Sequence, residues 1–322
     1  MMWSIETDQT FPLSSVKPFD GLFRYREWCL SQTRSAVKGG TRRRELSPVS
    51  GKPLVSLGAV EGFEYLRCPD SGSVFLADLP SSADWARLLQ GVSGYRRSPE
   101  TFHVGIAQTR NEHVYSPKLE WIRSTLRMQR LDRLQVIEVV TPPSEFTPLL
   151  EACGEFRQVT VVNEMELIMS HGMEAHEEAG AAILLESLDR VDDPVALLHA
   201  VRDSLVPGGL VFVTALVCSG FDVAVLGLKN MYLYPPDRTN CFSLRGLEQL
   251  LRAAGLALLE VSTPGVLDVE ILQTHLRRDP TLTISEFERQ LLEADRETRE
   301  AFQTFLQQNR MSSFARIIGK KP

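Results

Sequence analysis

The sequence predicts an α/β protein: a mostly parallel sheet with helices on both faces, preceded by a small β-ribbon lobe. Three observations carry this expectation. From residue 134 onward, short β-branched and aliphatic runs alternate with capped helical stretches, the pattern of strand–helix–strand units with parallel strands. Residues 210–218 are nearly all apolar or β-branched, as a central strand covered on both faces must be. Between residues 46 and 80 the rhythm changes: extended pieces at 53–57, 65–67 and 74–77 are punctuated by Gly51, Gly58, Gly62 and Gly72.

The elements follow in order. Residues 1–45 form an N-terminal segment of weak pattern, with a helix expected around 23–31. The ribbon lobe spans 46–80, and its apolar residues include Leu54, Val55, Phe63, Tyr65, Val74 and Phe75. A helical linker spans 81–133: Pro80-Ser-Ser-Ala-Asp84 caps a helix over 85–90, and Leu119, Ile122, Leu126 and Met128 mark another over 115–130. The α/β domain occupies 134–322. Its strands are expected near 135–140, 158–163, 181–186, 210–217, 256–262 and 313–319. A helix at 145–153 follows the first strand. The helix at 193–205 takes its cap from Asp192 or Asp193 and carries Pro194 in its first turn; Pro207-Gly-Gly209 is expected to stop it in a tight turn. Ser243 caps a helix that ends at Gly255, and a helical insertion fills about 265–312, with one charged helix over 284–309.

Composition narrows the function classes. A chain of 322 residues with 43% hydrophobic and 24% charged residues is an ordinary globular one of about two domains. A net charge of −6 argues against affinity for nucleic-acid backbone, and Arg42-Arg43-Arg44 is expected to be a solvated loop. No apolar run reaches bilayer length, and the first residues do not form a signal peptide, so a cytoplasmic protein without membrane insertion is expected. Five scattered cysteines make no disulfide framework.

Three segments carry a resemblance. They are Glu186-Ser-Leu-Asp-Arg-Val-Asp-Asp-Pro194, Leu205-Val-Pro-Gly-Gly-Leu210 and Tyr234-Pro-Pro-Asp-Arg-Thr-Asn-Cys-Phe-Ser243. Ahead of them, Ser47-Pro-Val-Ser50 and Cys68-Pro-Asp-Ser71 have the spacing of two zinc knuckles with serine at three of four ligand positions. In this order they resemble class I S-adenosylmethionine-dependent methyltransferases of the bacterial type with an N-terminal zinc-ribbon lobe. The resemblance implies a Rossmann-like class I methyltransferase sheet whose last strand runs antiparallel, inserted between the two before it.

The departures bear on function. By resemblance, Glu138 is the acid of the cofactor loop, but Val140, Pro142 and Ser144 stand where the family has glycines that let backbone approach the ligand. Glu164 stands at the ribose-binding position, and Glu186 at the end of the next strand. The link between residues 163 and 181 is short for a crossover and a further strand. Its His171, Glu174, His176, Glu177 and Glu178 are expected to form a charged loop rather than a metal site. Arg190 and Arg238 replace two family histidines; a guanidinium accepts no proton, so the two are expected either to bind an anionic substrate group such as a phosphate or to pair with Asp189 or Asp237. No catalytic residue is assigned. One thiolate among three serines is too few ligands for zinc, so no metal and no cofactor is expected. Met231, Tyr232 and Tyr234, in the apolar run after the long central strand, are expected at a substrate or partner surface, or capping the cleft. The favoured function is a non-catalytic, methyltransferase-like binding, scaffold or regulatory protein with a protein partner or self-association. The alternative is an active enzyme using S-adenosylmethionine on a small molecule or nucleotide-linked sugar.

Overall fold

A computed structural model describes residues 11–170 and 179–322. In chain order the strands are β1 (Arg42–Arg43), β2 (Val55–Val60), β3 (Phe63–Arg67), β4 (Val74–Leu76), β5 (Asp78–Leu79), β6 (Gln135–Val139), β7 (Gln158–Val162), β8 (Ala179–Leu185), β9 (Leu205–Leu216), β10 (Asn240–Cys241), β11 (Ala257–Ser262) and β12 (Phe314–Lys320). Six of them form the large sheet in the order β11-β12-β9-β8-β6-β7. β7, β6, β8 and β9 are parallel, while β12 runs antiparallel between β9 and β11. This is the expected class I topology, with the last strand inserted as the resemblance implies.

The period-2 alternation of the strands divides their side chains between two cores. Ile137, Val139, Ala182, Leu184, Val211 and Val213 face one side, together with helices Pro194–Asp203 and Leu244–Ala253. Val136, Ala181, Ile183, Leu210 and Phe212 face the other, where Trp121, Ile122 and Leu126 of helix Ser116–Met128 cover them. Both helices on the first face begin on a side-chain cap: Asp193 accepts from the Ala196 amide at 2.9 Å, and Ser243 from the Gly246 amide at 2.9 Å.

β2, β3 and β4 form an antiparallel meander, and β10 adds its fourth strand. The ribbon therefore shares a sheet with the α/β half. Helices Phe19–Val37 and Ser82–Arg96 close over it, burying Tyr25, Leu30, Tyr65 and Trp85 in a third core.

Three local expectations are corrected. Residues 206–209 do not end the helix in a free turn. They bulge inside β9, which pairs with β8 through Leu205 and again through Leu210, and Gly208 takes a φ of 80° there. The charged stretch 284–309 is two helices, Glu286–Glu293 and Arg296–Gln308, because Ala294 is extended and Asp295 caps the second. The N-terminal helix is longer than its pattern suggested, running over Phe19–Val37. Among the described residues no helix is long and apolar enough to cross a membrane.

Candidate functional site

The carboxyl ends of β6, β7, β8 and β9 open into a cavity of about 650 Å³. Ligands of open α/β sheets bind at this edge, and the volume lies in the range of small-molecule sites. Val140, Glu164, Glu186 and Leu216 line its floor, and Tyr25, Ser93, Arg96, Arg110, Tyr115 and Lys118 of the preceding helical segments form its roof.

On the β6 side the loop satisfies its own carboxylates. Glu138 is 2% exposed; it accepts from the Ser144 hydroxyl at 2.5 Å and from the Thr147 hydroxyl. Glu164 is 3% exposed and accepts from the Thr141 hydroxyl at 2.8 Å. Burial pushes both acids above the usual carboxylate range, against the pull of these hydrogen bonds. The loop's carbonyls are also taken: Ser93 donates to Thr141 at 2.9 Å and Gln90 to Pro142 at 3.1 Å. Val140 continues the ladder, its amide donating to Val162. S-adenosylmethionine offers a ribose diol and an ammonium that need free acceptors. Both acids placed for it already accept hydroxyl donors from their own loop, and Val140, Pro142 and Ser144 stand in that loop without a glycine among them.

On the β8 side the charges pair with one another. Glu186 adopts φ 63°, and its carboxylate meets Arg238 at 2.8 Å and Arg190 at 3.5 Å. Burial alone would raise its pKa, but Arg238, Lys118 and Arg190 outweigh it and hold the acid well below its ordinary range. Asp237 likewise sits between Arg96 at 3.1 Å and Arg190 at 3.3 Å; these cations overcome its burial and bring it down to about 2. Asp189 is fully buried 3.6 Å from Arg238, and burial raises it to about 7. Arg190 and Arg238 thus line the cavity while committed to internal carboxylates.

Met231 and Tyr234 are 8% and 4% exposed, and Tyr232 is half-buried. An outer partner surface is therefore corrected for Met231 and Tyr234: the run folds inward between the ribbon core and helix Asp268–Arg278 because its large side chains outweigh its few charges. Tyr232 and Tyr234 line the cavity. The histidines and acids at 171–178 lie outside the described residues.

The two turns at 47–51 and 68–72 close in the same way. Gly51 and Gly72 take φ of 67° and 77°, their amides donating back to Ser47 and Cys68 at 2.8 Å each. The Ser50 hydroxyl lies 3.4 Å from the Cys68 sulfur, and the Ser71 amide 3.5 Å from it. Burial would raise this thiol, but the hydroxyls of Ser47, Ser50 and Ser71 bring it down to about 7. Among the described residues, no group of three histidine, cysteine or acidic side chains gathers to hold a metal.

Sequence reasoning missed Lys118 and Arg316, both of which line the cavity and are 4% and 5% exposed. Their signal was a charge inside an apolar pattern. Lys118 shares its helix face with Ile122 and Leu126, and Arg316 interrupts Ser-Phe-Ala-Arg-Ile-Ile-Gly.

Sheet order, the inserted antiparallel β12 and a cavity at the strand ends define a class I S-adenosylmethionine-dependent methyltransferase fold. Residues 148–261 match the family model described as a methyltransferase domain. The match begins beyond the 140–144 loop. No curated protein matches the chain. Solved structures similar to it include Burkholderia thailandensis 1,6-didemethyltoxoflavin-N1-methyltransferase, with bound 1,6-didemethyltoxoflavin and S-adenosylhomocysteine, at 12% identity and TM-score 0.44 over 83% of this chain and 99% of that one. A Thermotoga maritima S-adenosylmethionine-dependent methyltransferase, described as a possible histamine N-methyltransferase, shows 14% identity and TM-score 0.38 over 65% of this chain and 99% of its own. An Archaeoglobus fulgidus S-adenosylmethionine-dependent methyltransferase shows 12% and 0.37, over 63% and 94%.

Proposed function

We propose that this protein binds a small molecule in the cavity of a methyltransferase fold without transferring a methyl group. The observation that supports it is the self-satisfied loop: Glu138 and Glu164 accept from Ser144, Thr147 and Thr141, in a loop where Val140, Pro142 and Ser144 stand at the positions the resemblance gives to glycines. A scaffold role through the 220–234 run loses support, since its Met231 and Tyr234 are internal. Self-association or a protein partner would have to use another face.

An active S-adenosylmethionine-dependent enzyme acting on a small molecule is the second reading, and the cavity favours it. Its volume of about 650 Å³ reaches Glu138, Val140 and Glu164 together, so a ligand can arrive where a cofactor would sit. A sulfonium methyl needs mainly alignment rather than a strong base, so arginines in place of histidines would not exclude transfer.

Titration calorimetry with S-adenosylmethionine and S-adenosylhomocysteine separates the two. The first reading expects no saturable heat below about 1 mM ligand, where binding is worth no more than about 4 kcal/mol. Micromolar binding that Glu164→Gln weakens would replace it with the second.

A further inference from the structure

Three cations line the cavity without a close ion pair of their own among the described residues, although Glu260 faces Arg316 and Asp222 and Glu186 face Lys17. Lys118 is 4% exposed, and the carboxylate nearest its Nζ among the described residues is Glu186 at 4.0 Å. That carboxylate already serves Arg238 at 2.8 Å and Arg190 at 3.5 Å. Arg316 is 5% exposed and has no ion pair among the described residues; its Nε is buried without a hydrogen-bond partner, and its guanidinium lies 5.1 Å from the Trp121 ring centre. Lys17 is half-buried and rests 4.3 Å from the ring centre of Tyr232. All three line the same cavity.

Arg316 and Lys17 lie close enough to disfavour the charge of Lys118. Burial pushes Lys118 down to about 8, with Arg110, Arg316 and Lys17 adding to the fall and Glu186 opposing it. A buried cation whose carboxylate is distant and shared is costly, and a fold that needed only packing would place an apolar side chain there. Aromatic faces at Tyr115, Phe314, Trp121 and Tyr232 soften that cost without removing the charge.

We infer that Lys118, Arg316 and Lys17 form an oxyanion-binding subsite, and that the cavity's ligand carries a dianionic group, either a phosphate monoester or a pair of carboxylates. The inference rests on the cavity being a small-molecule site and deepens that reading by naming the ligand's charge. It does not depend on whether S-adenosylmethionine binds.

The probes are inorganic phosphate and succinate, each titrated to 50 mM against chloride of matched ionic strength, with the full chain's thermal midpoint as readout. Saturable binding at tenfold over Kd raises Tm by about 2–3 °C. The expected result is such a rise with at least one anion, lost in Lys118→Met and in Arg316→Met. A rise with phosphate alone identifies the phosphate monoester, and with succinate alone the dicarboxylate. In the absence of anion, Lys118→Met should melt at or above the wild-type temperature, since it relieves a buried charge; a structural lysine would show the reverse. Arg316→Met gives the same readouts independently should Lys118→Met fail to fold. No saturable rise with either anion, or an equal rise in the folded variants, overturns the inference. The calorimetry above would be untouched by that failure, and cofactor binding there would leave the anion response standing.

Discussion

At the scale of single residues, the cavity is built on Asp237. It joins Arg96, Arg190 and Tyr234, whose hydroxyl donates to it at 2.9 Å, so its charge holds the roof helix to the strand ends. Asp237→Asn leaves two buried guanidinium groups short of a partner and should cost about 3–5 kcal/mol in urea unfolding. The sign of the pH effect follows from the depressed pKa. The stabilisation is complete above the ordinary carboxylate range and is lost as pH falls from about 4 toward 2, so stability curves of wild type and Asp237→Asn should converge over that window. Glu138, Glu164 and Glu186 could be placed from sequence because a strand end fixes them. Asp237 was visible only as a neighbour of Arg238, and its bond to Arg96 joins segments 141 residues apart. No local pattern announces such a pair. Lys118 and Arg316 were missed for a related reason: a lone charge on an apolar face looks like noise until the cavity beside it is known.

At the scale of elements, the strands of the large sheet could be read to within about two residues, except that β9 begins at Leu205 rather than near 210, because buried strands are continuous apolar runs. The helices were less well bounded where caps compete. The break at Ala294-Asp295 interrupts a charged run whose composition favours helix throughout, and the decisive feature is one side chain, Asp295, accepting from the Thr298 amide at 2.8 Å. The bulge at 206–209 was mistaken for a helix stop because Pro-Gly-Gly serves either purpose. Placement of β12 depends on close backbone approach. A Cβ on Gly220 would lie 2.1 Å from the Ser313 Cα and 2.4 Å from its amide nitrogen. Gly220→Ala therefore forces the exit of β9 away from the start of β12 and should destabilise by at least about 2 kcal/mol, seen as a lower denaturant midpoint at unchanged slope. The ribbon's knuckles give a test of a different kind. Four sulfurs around zinc lie about 3.8 Å apart, from zinc–sulfur bonds of about 2.3 Å, and Ser50 and Cys68 already approach at 3.4 Å. Ser47→Cys, Ser50→Cys and Ser71→Cys together should bind one zinc per chain by metal analysis, while the wild-type protein purifies without stoichiometric zinc. Zinc held by the wild type would mean that the serines do not abolish the site.

At the scale of the whole molecule, the ribbon's fourth strand, β10, comes from the far side of the chain. Asn240 at its start is fully buried; its amide donates to the carbonyls of Leu188 at 2.8 Å and Val191 at 2.7 Å and accepts from Arg44 at 2.6 Å. The lobe is thus tied to the other half along its β4 side. In hydrogen–deuterium exchange, the amides of β3 and β4 should open only with those of β8 and β9, as one cooperative unit with a common dependence on denaturant. Asn240→Ala should uncouple them, letting the ribbon exchange through partial opening while the sheet stays protected. A chain of this kind cannot trade its front lobe for another as a cassette. The strand borrowed from the other half keeps the lobe in register.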